Sequence, residues 1–91
     1  MKIIREDNSE LEFTTMFEDE NKASIFKHFK GNIYKVVTIA KECENLQDMI
    51  VYQGQYEDKP CWIREKKDFF ALVDKNKYPD VTQKYRFEKI K

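Results

Sequence analysis

Glycine and proline are scarce in this 91-residue chain, with two of each; there are two cysteines, one histidine and one tryptophan. Each shortage excludes something. Two glycines, Gly31 and Gly54, do not build a glycine-rich phosphate loop. One histidine and two distant cysteines do not supply the three or four patterned ligands of a metal site, so no metal and no cofactor is expected. Cys43 and Cys61 are also too few for a disulfide framework, and both are expected as free thiols. No apolar run approaches the roughly 20 residues of a membrane helix. The opening Met1-Lys2-Ile3-Ile4-Arg5-Glu6-Asp7 lacks the apolar core of a secretory signal. The expectation is a soluble, reduced, cytoplasmic protein with no membrane partner. The length fits one domain with a small core.

What is present is charge and aromatic mass. Charged residues make up 37% of the chain, above the usual ~25%. Seven Phe, five Tyr and one Trp supply the bulk for a core. Net charge is zero, but it is split. Residues 1–24 carry three basic and seven acidic side chains, and residues 25–91 carry 14 basic and 10 acidic ones. This reads as an acidic N-terminal extension on a basic body, or as an ordinary solvated mixed-sign surface.

The extension is ambiguous. Ser9-Glu10-Leu11-Glu12 fits a capping box, and Phe13, Met16 and Phe17 follow at helical spacing. Leu11 to Thr14 also alternates like a strand. A short helix over about 10–19 is the preferred reading, with a linker from Glu18 to Ser24. From Ile25 the period becomes two. Strands are expected at Ile25–Phe29, Ile33–Ala40, Met49–Tyr56, Cys61–Arg64 and Tyr85–Ile90, with turns at Gly31-Asn32 and Glu57–Pro60. Lys66–Val73 reads as a helical turn carrying Phe69, Phe70 and Leu72. The pattern predicts a mainly β protein: a small five-stranded antiparallel barrel of the SH3-like kind over residues 25–91, with a helical turn before the last strand and an N-terminal extension over 1–24.

An ordered set of short motifs then stands out: His28-Phe29-Lys30-Gly31-Asn32-x-Tyr34-x-Val36, Ala40 with Glu44, Val51-Tyr52-Gln53-x-x-Tyr56, Trp62-Ile63-Arg64, Phe69 and Arg86-Phe87. Over about residues 26–90 the chain resembles a family of small bacterial domains catalogued as domain of unknown function number sixteen fifty-three. The resemblance implies a compact β-rich domain and no established activity. Where that family usually has His-Ser-Glu-Thr, this chain has Glu42-Cys43-Glu44-Asn45, and only Glu44 matches. The usual Pro after Trp-x-Arg is Glu65 here.

The residue inventory gives little support to an enzyme. A Cys43–His28 dyad lacks an evident third group. Glu42 and Glu44 sit on a polar loop with nothing to raise either pKa. The aromatics are more informative. Alternation puts Trp62 and Arg64 on one strand face, and Ile50, Tyr52, Gly54 and Tyr56 on one face of another. Gly54 between two tyrosines leaves a notch. If the two faces adjoin, an aromatic cleft with a guanidinium at its edge results, suited to a flat ring and an anion. The plainer reading, and the favoured one, is that Trp62, Tyr52 and Phe69 are core, with Trp62 at its edge. The candidate ligand-binding residues are Arg64, Trp62, Tyr56, Tyr52, His28 and Glu44.

Three functional readings follow. The first is a non-enzymatic binding domain for a small planar anionic ligand such as a nucleotide; in a phage-encoded protein such a site would sequester a nucleotide signal. The second is a protein-interaction module with a groove of Tyr34, Tyr52 and Trp62. The third is single-stranded nucleic-acid binding through lysines and exposed aromatics.

Overall fold

The computed structural model describes residues 1–91. Seven strands form: β1 (Lys2–Ile4), β2 (Glu10–Glu12), β3 (Ile25–His28), β4 (Ile33–Lys41), β5 (Asp48–Gly54), β6 (Cys61–Glu65) and β7 (Phe87–Lys89), with a short helix α1 (Lys66–Phe69) between β6 and β7. The five strands expected from alternation make one antiparallel sheet in the order β6-β5-β4-β3-β7. β6 and β7 are its two edges. They approach through side chains, because the Arg64 guanidinium of β6 stands 5.6 Å from the Phe87 ring of β7. The sheet is therefore strongly curled. No helix is long and apolar enough to cross a membrane.

The N-terminal segment departs from expectation. There is no helix over 10–19. Instead β1 and β2 form a hairpin, with Ile3 opposite Leu11, turned by Asn8 in the left-handed region at φ 68°. The serine expected to cap a helix is used in this turn. Ser9 Oγ donates to Asp7 Oδ1 at 2.5 Å and accepts from Arg5 Nε at 2.8 Å. Tyr85 donates its hydroxyl to Asp7 Oδ2 at 2.6 Å and Lys84 pairs with the same oxygen at 3.2 Å, tying the turn to the approach to β7. These hydrogen bonds hold the Asp7 carboxyl far below the usual carboxylate range, Ser9 contributing most.

The expected linker over Glu18–Ser24 holds a short exposed 3-10 turn, Glu20–Lys22, and ends in buried Ala23 and Ser24. β3 stops at Ile25, opposite Lys35, leaving the rest of that edge of β4 unpaired. The N–H groups of Met16 and Phe17 fill it, donating to the Val36 and Val37 carbonyls at 3.0 and 3.2 Å, beside a bulge in β4. Ser24 is buried and its hydroxyl accepts from Thr14 N at 2.9 Å. Phe13 is fully buried. The core comprises Ile3, Phe13, Phe26, Val36, Ile50, Tyr52, Phe69, Phe70 and Phe87. Its centre is a stack of Phe69 on Phe87 at 4.1 Å, with Tyr52 and Phe26 set edge-on to Phe69 at 5.2 Å. Residues 1–24 thus contribute to the same core as the sheet.

Candidate functional site

The concave face of the sheet ends in a cleft of about 250 Å³, lined by His28, Lys30, Asn32, Tyr34, Tyr52, Trp62, Arg64 and Phe87. Each wall follows from register. Tyr52 of β5 lies opposite Trp62 of β6, so alternation brings Trp62, Arg64 and Tyr52 to one face. His28 of β3 lies opposite Phe87 of β7, adding the far wall. The β3–β4 turn supplies Lys30 and Asn32. It closes through Gly31 N donating to His28 O at 2.8 Å and His28 N donating to Asn32 O at 2.9 Å, with Gly31 at φ 112°, where a side chain would be strained.

The polar groups are mostly donors. Arg64 donates its Nε to the Tyr52 hydroxyl at 3.2 Å, which orients the fork and leaves its terminal nitrogens available. Neither Arg64 nor Lys30 makes an ion pair. No carboxylate lines the cleft. His28 Nδ1 accepts from Lys30 N at 3.1 Å, so the ring proton belongs on Nε2. Burial, then the positive charges of Arg64, Lys30 and Arg86, depress the His28 pKa to about 4. The imidazole is neutral at pH 7 and offers an N–H. Tyr34, pushed up by burial and by its neighbour Tyr56, stays protonated as well.

This histidine gives a pH prediction. Unfolded, it protonates near 6.5; folded, only near 4. Between those values the unfolded chain holds a proton that the native protein lacks, so stability falls as pH drops through that window. It is the sole histidine. Melting temperatures between pH 7 and 5.5 should decline in the wild type and flatten in His28→Gln. Parallel profiles would show that His28 titrates normally.

The six residues expected at the site divide. Arg64, Trp62, Tyr52 and His28 come together in the cleft. Tyr56 stands at the rim, where its hydroxyl accepts from Trp62 Nε1 at 3.0 Å and its ring meets Tyr34 at 5.8 Å. Glu44 lies elsewhere, exposed in the β4–β5 loop with its backbone N–H on Glu42 Oε2, and has no ion pair with Arg64. The expected notch at Gly54 is filled by the Tyr56 ring, against which any Cβ there would collide. Trp62 is not a core-edge residue: it is 48% exposed, while Tyr52 is 4% exposed. Cys43 and Cys61 are free and exposed. Cys43 and His28 lie beyond opposite ends of the nine-residue β4, roughly 30 Å of strand, so no dyad forms. Sequence reasoning missed Asn32 and Phe87 as site residues. Phe87 was findable from alternation in Arg86-Phe87-Glu88, but its pairing with His28 required the strand order.

A second depression of about 430 Å³ lies between the β1–β2 hairpin and α1, over Ile3, Ile4 and Phe70. It is larger, but its charges are balanced: Arg5, Lys66 and Lys67 face Glu6, Asp48 and Glu65, and Asp48 is already held by Lys41 at 2.6 Å. It has no excess of either sign to select a ligand.

Residues 24–89 match the family described as Protein of unknown function (DUF1653), and the chain belongs to that family. No curated protein and no solved structure matches it.

Proposed function

We propose that this member of the family is a non-enzymatic binding protein for a small planar anion, a nucleotide-like molecule with a flat ring and a phosphate or carboxylate. One observation carries the reading: the cleft gathers Trp62, Tyr34, Arg64, Lys30 and a neutral His28 with no acid to neutralise the cations. A flat ring has the exposed indole to stack on, and the anion has a guanidinium fork and an imidazole N–H. A volume of about 250 Å³ is just below the usual range for small-molecule sites and suits one ring with one anionic group. The curled sheet, open between β6 and β7, is read as an SH3-like barrel whose seam forms the mouth. Tight binding without turnover would make such a protein a sequestering agent. The rival peptide groove of Tyr34, Tyr52 and Trp62 has less support, because Tyr52 is too buried to offer a surface.

The test is a melting-temperature panel of nucleoside mono-, di- and triphosphates. A ligand of the native state at a hundredfold excess over its Kd adds about 2.7 kcal/mol. For a chain of this size that is a rise of roughly 10 °C or more. The lone tryptophan is in the cleft, so the same ligand should change Trp62 fluorescence. A panel with no shift and no change in fluorescence would overturn the reading.

A further inference from the structure

The cleft does not end at His28. The His28 ring lies 4.4 Å from the Phe29 ring, and Phe29 lies 4.8 Å from Tyr78, which the 74–84 loop brings alongside. Phe29 and Tyr78 are both only partly buried. Lys30 joins the two regions. It lines the cleft, and its ammonium stands 5.9 Å from the Phe29 ring and 5.5 Å from the Tyr78 ring. Lys77 stands 5.5 Å from the outer ring. No carboxylate pairs with Lys30 or Lys77. The order along the surface is therefore ring, cation, ring, cation: Trp62, Arg64 with Lys30, the Phe29–Tyr78 pair, Lys77.

We infer that Phe29 and Tyr78 form a second ring-binding platform, and that the ligand is two flat heterocycles joined through a phosphodiester. On the reading of the cleft as a site for one ring and one anionic group, its volume of about 250 Å³ is taken up by that unit, and a second ring lies outside it. The aromatic pair next to His28 is the adjacent stacking surface, and Lys30 stands where the linking phosphate passes. The flexible lysine leaves its cation–π position to meet that phosphate, and the second ring takes its place on the face of Tyr78, with Phe29 inclined at 58° beside it as the edge of the platform. This rests on the reading of the cleft as a nucleotide site. The unit arises from a free dinucleotide or from the end of a single strand, and the chemistry is the same.

Calorimetric titration with AMP, with 5′-phosphorylated diadenylate and with decaadenylate separates the possibilities. In the wild type the dinucleotide should bind about tenfold tighter than AMP, the effect of one more stacked base. Tyr78→Ala should bring the dinucleotide to the AMP level and leave AMP unchanged. Tyr78→Leu, which keeps apolar contact with Phe29 but removes the stacking face, should do the same and guards against loop collapse. Decaadenylate no tighter than the dinucleotide identifies a free dinucleotide as the source. Tighter, strongly salt-dependent binding of the longer strand identifies a strand end. AMP and dinucleotide of equal affinity in the wild type, or a Tyr78 variant that weakens both alike, overturns the second platform and leaves the cleft standing. If neither binds, the cleft reading falls with it.

Discussion

Removing residues 1–24 should abolish the cooperative thermal transition of this protein. The segment is not an appendage: Ile3 and Phe13 sit in the core, with Phe13 fully buried against Phe70 at 5.3 Å. Its backbone also completes the sheet, since Met16 and Phe17 donate to β4 carbonyls that β3 does not reach. Truncation would expose one side of Phe70 and leave those carbonyls without their partners. Phe13→Ala alone should cost about 3–5 kcal/mol, the usual range for a buried aromatic. Native domains hold only about 5–15 kcal/mol in total, and a small one sits low in that range. Removing Phe13 together with Ile3 and the backbone bonds exceeds that reserve. The check is a calorimetric scan of residues 25–91 beside the full chain. A sharp transition in the shortened protein, at a temperature near the parent's, would show that the sheet folds alone.

That prediction runs opposite to the sequence expectation of a separate domain over 25–91, because Ile3 and Phe13 share the core of the sheet. From Ile25 onward β-branched and aromatic residues run over four or more positions between turn signals, and each expected strand is present. Before Ile25 the strands are three residues long, and the alternation of Leu11 to Thr14 overlaps a helical spacing. Leu11, Phe13, Met16 and Phe17 then fit a helix as well as a strand. What decides is Ser9, whose oxygen serves Asp7 and Arg5 in the hairpin turn and so does not cap a helix. Asp7 is in turn held by Tyr85 and Lys84 from the far end of the chain, and that is tertiary information. The same contrast holds at the site. Trp62 and Arg64 share a face by alternation alone, and Tyr52 joins them through the β5–β6 register. That Trp62 is exposed depends on β6 being a sheet edge, and that Glu44 is remote depends on the loop's direction. Tyr78 sits in a loop with no pattern, so its place beside Phe29 left no trace in the sequence.

Arg64→Ala should cost ligand affinity about 2–5 kcal/mol, roughly thirtyfold to several-thousandfold, while altering stability by about 1 kcal/mol or less. The sequence left two roles open for this arginine: the ligand, or an ion pair with Glu42 or Glu44. The structure has no such pair. Its native-state contacts are one hydrogen bond to Tyr52 and the Phe87 ring at 5.6 Å, so truncation strands no buried charge. The binding loss should be large because the guanidinium is the group that meets an anion with two parallel N–H donors. Arg64→Lys keeps the charge and loses the fork, so it should recover only part of the affinity. A readout independent of ligand is available in His28. Arg64 is the largest charge contribution to its depressed pKa, so the midpoint of the imidazole, followed by proton NMR, should rise above about 4 in Arg64→Ala. A raised midpoint with weakened binding and unchanged melting makes Arg64 the anion-binding group of the cleft. Normal melting with undiminished affinity would take the cleft reading away and put the protein-interaction module in front.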